Sequence, residues 1–281
     1  MLIDFHTHTT ASDGELSPSE LLERAQDSGL RYLAMTDHDT VDGYLAVRAQ
    51  AADGATTLVP GVEISCRWSG VNIHLVGLGM AVEHPVMTEG LAQLSVARRE
   101  RARTIDQRLA KLGFEGALEG AGAEAGQSQL GRPHFAAWML KQGHVDSVSE
   151  AFDKYLGQGK TGDVKAFWPT LAEVTGWVIA AGGIAVLAHP LKYKLTHAKL
   201  RRLVADFQDA GGAALELVNG RQNRQQTATL RRLAGKCGLA VSAGSDFHRD
   251  SQHGADLGLD FEAPEGLVCV SELLPVAGER R

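Results

Sequence analysis

The chain has 281 residues, 44% of them apolar, which suffices for one barrel-sized core with or without a smaller insert and rules out a disordered polymer. Its 28 basic and 34 acidic side chains give a formal charge of −6, so nothing favours a long polyanion and a nucleic-acid coat protein is not expected. Cys66, Cys237 and Cys269 lie far apart without a C-x-x-C pair, and no segment reads as a signal peptide or membrane span, which together predict a cytoplasmic protein without disulfides or thiolate zinc.

The first strand is expected over Leu2 to His8. Ser17-Pro18-Ser19-Glu20 then reads as a capping box opening a helix that ends near Gly29. A short strand follows over Tyr32 to Thr36, a helix over Val41 to Ala52, and strands over Thr57 to Ser65 and Val71 to Leu78, separated by the turn Trp68-Ser69-Gly70. Residues 81–168 change character. They hold an Arg-rich helical run from Leu91 to Leu112 and a Gly/Ala/Glu-rich stretch, but no convincing strand, and read as a helical insertion. Alternation then returns: a helix from the Thr170 cap to Ala181, a strand over Ile184 to Ala188, a helix over Thr196 to Ala210 and a strand over Ala213 to Val218. A helix over Arg224 to Cys237 and a strand over Leu239 to Ala243 complete it. About seven strands alternating with helices predict an α/β fold of parallel units closed into a barrel, made of residues 1–80 and 169–281 and carrying the insertion.

The chain contains 11 histidines, several of them beside carboxylates. His6 and His8 sit two apart at a strand end, so both can point to one face and grip one cation, although alone such a pair is more often a polar strand end. Asp13 in Ser12-Asp13-Gly14 would pass by itself for a turn aspartate. Repetition changes the odds. His38 follows the next strand, in Thr36-Asp37-His38-Asp39. Glu63 lies among Val59, Val62 and Ile64, where an unpaired charge is costly and a cation would remove the cost. His74 lies in the adjoining strand, where a hydrogen-bonded core histidine is an equal reading. His134 falls in Arg132-Pro133-His134, while His189 in Ala188-His189-Pro190 and Asp246 with His248 in Gly244-Ser245-Asp246-Phe247-His248 each follow an apolar strand directly. A multinuclear metal site is the economical explanation. The thiolate-free nitrogen and oxygen donors suit zinc, manganese or iron, and phosphoester hydrolysis is the chemistry such a site serves.

These stretches, in this order along nearly the whole chain, resemble the PHP (polymerase and histidinol phosphatase) family of the amidohydrolase superfamily. The resemblance implies a distorted (β/α)7 barrel with two or three divalent metal ions, manganese preferred and iron or zinc as alternatives. It implies one metal on His6, His8, Glu63 and Asp246, a second on Glu63, His74 and His134, and a third on Asp13, His38 and His248. Glu63 would bridge, and His189 would stand outside the ligand set as proton donor to the leaving oxygen.

Within the family, Arg132-Pro133-His134, the stretch from Phe152 to Lys160 and the insertion look like the branch acting on nucleotides. The activity expected from this likeness is removal of the 3′-phosphate from a nucleoside 3′,5′-bisphosphate such as adenosine 3′,5′-bisphosphate. The alternatives are 5′-to-3′ trimming of short 5′-phosphorylated RNA, histidinol phosphate hydrolysis, or a metal-binding regulatory module. A second phosphate needs cations away from the metals, and Arg132, Lys160 and one of Arg98, Arg99 or Arg103 are the candidates, with Asn219 as a further substrate contact. The expected partner is a small nucleotide or short RNA, and neither long nucleic acid nor membrane.

Overall fold

The computed structural model describes residues 1–164, 167–250 and 254–274. Local signals place the first elements. The Ser17 hydroxyl accepts the Glu20 amide and the Glu20 carboxylate accepts the Ser17 amide, which starts α1 (Pro18–Asp27) between β1 (Leu2–Thr7) and β2 (Tyr32–Met35). The helix α2 is short (Asp42–Val47), with a separate tight turn at Gln50–Asp53 where one continuous helix was expected. The hairpin β3 (Thr57–Trp68) and β4 (Val71–Leu78) turns through Ser69 and Gly70, both at positive φ (46° and 78°), as a two-residue hairpin requires.

That hairpin breaks the expected run of parallel units. In the sheet order β7-β6-β5-β4-β3-β2-β1-β8, β4 runs antiparallel to both β3 and β5 (Ile184–Leu187). The pairs among β1, β2 and β3 and among β5, β6 (Ala214–Asn219) and β7 (Ala240–Gly244) are parallel. A short β8 (Leu259–Asp260), which no sequence pattern announced, lies antiparallel on the outer side of β1.

The sheet curls until its ends meet. The Asp246 amide donates to the His6 carbonyl at 2.8 Å and the His8 amide to the Phe247 carbonyl at 2.9 Å, so the chain beyond β7 closes on the end of β1. Gly244 permits this approach, because a Cβ there would lie 2.3 Å from that of His6. The result is a nearly closed eight-stranded barrel. Its largest apolar core joins strand residues such as Ile64, Leu75 and Leu187 to α7 (Leu171–Ala180), α8 (His197–Asp209) and α9 (Arg224–Cys237) through Val178, Phe207 and Leu230.

Residues 81–168 hold α3 (Pro85–Ala110), α4 (Ala117–Ala125), α5 (Arg132–Lys141) and α6 (Val148–Ala151), with no strand among those described. The helix α3 begins six residues before Leu91, because His84 caps it through the Val86 amide and Pro85 suits its first turn. It serves two cores. Met87, Leu94 and Ala97 pack into the barrel's core, whereas Ala102, Ile105 and Leu109 pack with Phe135, Trp138 and Leu156 in a core belonging to the helical segment. No helix among the described residues is long and apolar enough to cross a membrane.

Candidate metal centre

The two-residue spacing of His6 and His8 puts both rings on one side of the chain, with centroids 5.2 Å apart and both side chains fully buried. Asp37 fixes the loop that follows. Its carboxylate accepts the Thr9 amide and hydroxyl and the Ser12 hydroxyl at 2.6 to 2.8 Å, which ties the loop carrying Asp13 to the segment carrying His38. His38 in turn bridges to Glu63 across the ends of β2 and β3.

Glu63 is the hub. Its Oε1 lies 2.7 Å from His74 Nδ1 and 2.8 Å from His189 Nε2. Its Oε2 lies 2.9 Å from His38 Nδ1 and 3.3 Å from both His6 Nε2 and His8 Nε2. Burial alone would raise this carboxyl's pKa, but His38, His74 and His6 hold it well below the ordinary carboxylate range. Asp246 Oδ1 approaches His8 Nε2 at 3.3 Å and His6 Nε2 at 3.6 Å, and Asp13 Oδ1 lies 3.4 Å from His248 Nε2. Burial opposes ionisation of both, yet the facing histidines, joined at Asp246 by Lys192, keep both carboxyls well below their usual value. Burial and the neighbouring His248 and His38 push His8 down to about 3, so its ring is neutral, the form that ligates.

Donor atoms gather in four groups, each within 4.8 Å: His6-His8-Asp246, His6-Glu63-His189, His38-Glu63-His74, and His8-Asp13-His38-His248. Several of these atoms are buried and make no hydrogen bond, namely His6 Nε2, both ring nitrogens of His8, Asp13 Oδ1, His38 Nδ1 and His189 Nδ1. Such orphaned donors and acceptors are costly unless a cation takes their lone pairs, so the residues fit a cluster of divalent ions with imidazole and carboxylate ligands.

Two placements differ from the ligand scheme the family likeness implied. His134 joins none of the four groups. Its Nδ1 accepts the Gly131 amide at 3.0 Å at the head of α5, and the carboxylates that act on its ring are Asp13 and Glu124. His189 takes the position beside Glu63 and His74 that the likeness gave to His134. With its Nε2 against Glu63, it is placed as a candidate ligand, within the donor ring where the likeness set it outside.

Outside this inner ring, sequence reasoning passed over Glu216. It is buried, accepts the His189 amide at 2.6 Å and the Asn219 side-chain amide at 3.1 Å, and lies 3.0 Å from His6 Nδ1. A proton on that nitrogen leaves Nε2 directed at the centre, the usual way an outer carboxylate sets a ligand's tautomer. The signal was present, since Glu216 stands between apolar residues in a strand as Glu63 does. Lys192, which reaches Asp246, carried no such signal. Asp39 (φ 55°), His189 (φ 26°) and Asp246 (φ 56°) hold strained left-handed backbone at the rim of the site.

The substrate-contact candidates separate. Arg132 lines a cavity that also reaches Asp13, His38 and His74. Arg99 is exposed and bonds Ser95 on its own helix, whereas its neighbour Arg98 is buried and donates to Asp39 Oδ2 at 2.6 Å. Lys160 lies on an exposed turn, outside the residues lining that cavity. Asn219 lines a second cleft with His189, Lys192, Gln222 and Asp246.

Known proteins resemble this chain in sequence and in fold. The family model described as the PHP domain matches residues 4–164. A 5′-3′ exoribonuclease of Haemophilus influenzae is 42% identical over 87% of this chain and 89% of its own. A 3′,5′-nucleoside bisphosphate phosphatase of Chromobacterium violaceum is 36% identical over 93% of this chain and 92% of its own. The structure of an amidohydrolase from Chromobacterium violaceum, solved with bound sulfate and no metal, superposes with a TM-score of 0.87 at 34% identity, covering 96% of this chain and 95% of that one. The family model spans more than half of the chain and these relatives match it along most of their length, so the chain, with its curled barrel and its histidine and carboxylate ring, belongs to the PHP domain family.

Proposed function

We propose that this PHP-family phosphoesterase hydrolyses the ester at the 3′-oxygen of a small nucleotide that also carries a 5′-phosphate, with adenosine 3′,5′-bisphosphate as the model substrate and the 5′-monophosphate as product. The observation that carries this reading is a single cavity onto which both the donor ring (Asp13, His38, His74) and buried arginine side chains open, so that one ligand can present one phosphate to each. Two or three divalent ions, manganese preferred, would be held by this donor ring and would supply charge for the phosphate oxygens and a water of lowered pKa. The chain's own part is to hold those ligands rigidly: Glu63 joins the donor groups, Glu216 orients His6, and Asp37 fixes the loop bearing Asp13. The 36% identical bisphosphate phosphatase supports the choice of substrate.

A second reading, 5′-to-3′ exonuclease action on short RNA, breaks the bond at the same phosphorus and differs only in what lies beyond it. The cleft lined by His189, Lys192, Asn219, Gln222 and Asp246 favours it, because it adjoins the centre through His189 and Asp246 and offers polar side chains to the downstream RNA, which keeps the phosphate when the 3′-oxygen of the first nucleotide leaves. The exoribonuclease relative supports it too. The test is a parallel assay of the metal-loaded chain on a nucleoside 3′,5′-bisphosphate, histidinol phosphate, a generic phosphomonoester and a short 5′-phosphorylated RNA. Efficient turnover of a nucleotide substrate is expected. Hydrolysis of the generic ester or histidinol phosphate in preference to both nucleotides would sink the reading.

A further inference from the structure

Sequence reasoning weighed Arg98, Arg99 and Arg103 on α3 and passed over Arg101, which the structure buries. Arg98 and Arg101 are 7% and 8% exposed, one turn apart on the same helix, and Arg132 joins them from the start of α5. All three line the cavity that reaches Asp13, His38 and His74.

Their counter-charges are few. Arg98 is paired with Asp39, and Arg132 is 3.9 Å from Asp163 while donating to the Leu156 carbonyl at 2.9 Å. Arg101 donates Nε to the Val164 carbonyl at 3.2 Å, and among the described residues no carboxylate lies within ion-pair distance of it. Burial, with Arg132 and Arg98 as like-charged neighbours, brings its pKa down to about 9 against the opposing pull of Asp163 and Asp39 farther off. A buried cation crowded by two others is expensive unless an anion completes the group.

The three planes are also held in place. Trp168 packs against Arg98 and Arg101, with guanidinium carbons 5.6 and 5.1 Å from its ring, and Phe152 packs against Arg132 at 5.9 Å. Pinned forks suit a planar-faced or tetrahedral oxyanion far better than a lysine's mobile point charge does. Resting on the nucleotide reading above, we propose that Arg98, Arg101 and Arg132 form an anion site apart from the metal ligands, which takes the 5′-phosphate monoester of the substrate. Arg101 is its central, specificity-determining residue. The site makes the enzyme a reader of the 5′ end: a nucleotide with a free 5′-hydroxyl keeps its contact with the metals and loses this one.

The test compares kcat/KM for a nucleoside 3′,5′-bisphosphate with that for the corresponding nucleoside 3′-monophosphate, in the full metal-loaded chain and in Arg101→Gln, with metal content measured in both. The wild type should favour the bisphosphate. The ratio should fall about 10- to 150-fold in Arg101→Gln, the worth of one charge-assisted contact, with metal content equal to the wild type. Arg101→Lys should recover only part of the ratio. Arg132→Gln, at a less buried position, should move the ratio in the same direction and provides the reading if Arg101→Gln does not fold. A wild-type preference that persists undiminished in the folded variants overturns the proposal alone. A wild type that treats the two substrates equally overturns the nucleotide reading and the proposal with it.

Discussion

The barrel face and the helical segment above it solve different electrostatic problems. The face collects carboxylates and imidazoles whose lone pairs converge on Glu63 and call for cations. The segment contributes guanidinium groups buried beside too few carboxylates, which call for an anion. On the reading proposed above, one side serves the chemistry at phosphorus and the other selects the phosphoester. The division implies that the two can be damaged separately, and variants should show it.

The largest effect is expected at Glu63. Glu63→Ala removes the carboxylate shared by two donor groups and touched by five imidazoles, so metal content should fall by more than one equivalent. Turnover should drop beyond about 10⁴-fold, more than the loss of one proton-transfer group causes. Elemental analysis alongside kinetics checks this, and full metal occupancy with near-normal turnover would end the shared-hub view. His189→Asn comes next, with a loss of about 10²- to 10⁴-fold. Because His189 Nε2 faces Glu63, metal should leave together with activity. If activity falls while metal content stays at the wild-type level, His189 is the proton donor that the family likeness first suggested.

Glu216→Gln keeps the shape of the outer carboxylate and removes its charge from His6, so metal affinity should weaken about 10- to 100-fold with little change in fold. Titration with manganese under a competing chelator measures it. An unchanged affinity would confine Glu216 to holding the His189 backbone. The smallest effect is expected at Lys160. Its exposed position predicts that Lys160→Ala changes kcat/KM on the bisphosphate by less than about twofold, within the usual reach of a surface substitution. A tenfold loss there would move the reading of the second phosphate from the buried arginines to the exposed turn.

The barrel was readable because its signals are local. Capping boxes at Ser17 and Thr170 and apolar runs bounded by glycine put α1, α7 and the strands within a few residues of where they lie. The antiparallel course of β4 follows from the turn at Ser69 and Gly70, whereas β8 at two residues is too short to leave a pattern. Inside the site, His6, His8, His38 and Asp246 announce themselves because imidazoles and carboxylates at successive strand ends have no apolar role. His134 and His189 could not be told apart that way, since each follows or precedes a proline and only their partners in the fold separate them, the Gly131 amide for His134 and Glu63 for His189. The arginines were harder still. Arg98, Arg99, Arg101 and Arg103 make one charged run, and which of them faces inward depends on the angle at which α3 crosses the barrel, a tertiary fact.

The seam where β7 returns to β1 bears on endurance as well as on catalysis. The barrel is fastened there at one end, through the backbones of His6, His8, Asp246 and Phe247, three of which carry side chains of the donor ring. A cation gripped by those side chains acts as a rivet through the joint, tying the first strand of the chain to the last of its parallel strands. Ligand binding that favours the folded state adds about 2.7 kcal/mol at a hundredfold excess over the dissociation constant, so adding manganese should raise the thermal midpoint. Amide exchange at His8 and Asp246 should slow more than it does on the outer strands. Uniform protection across the sheet would mean that the joint holds by hydrogen bonds alone.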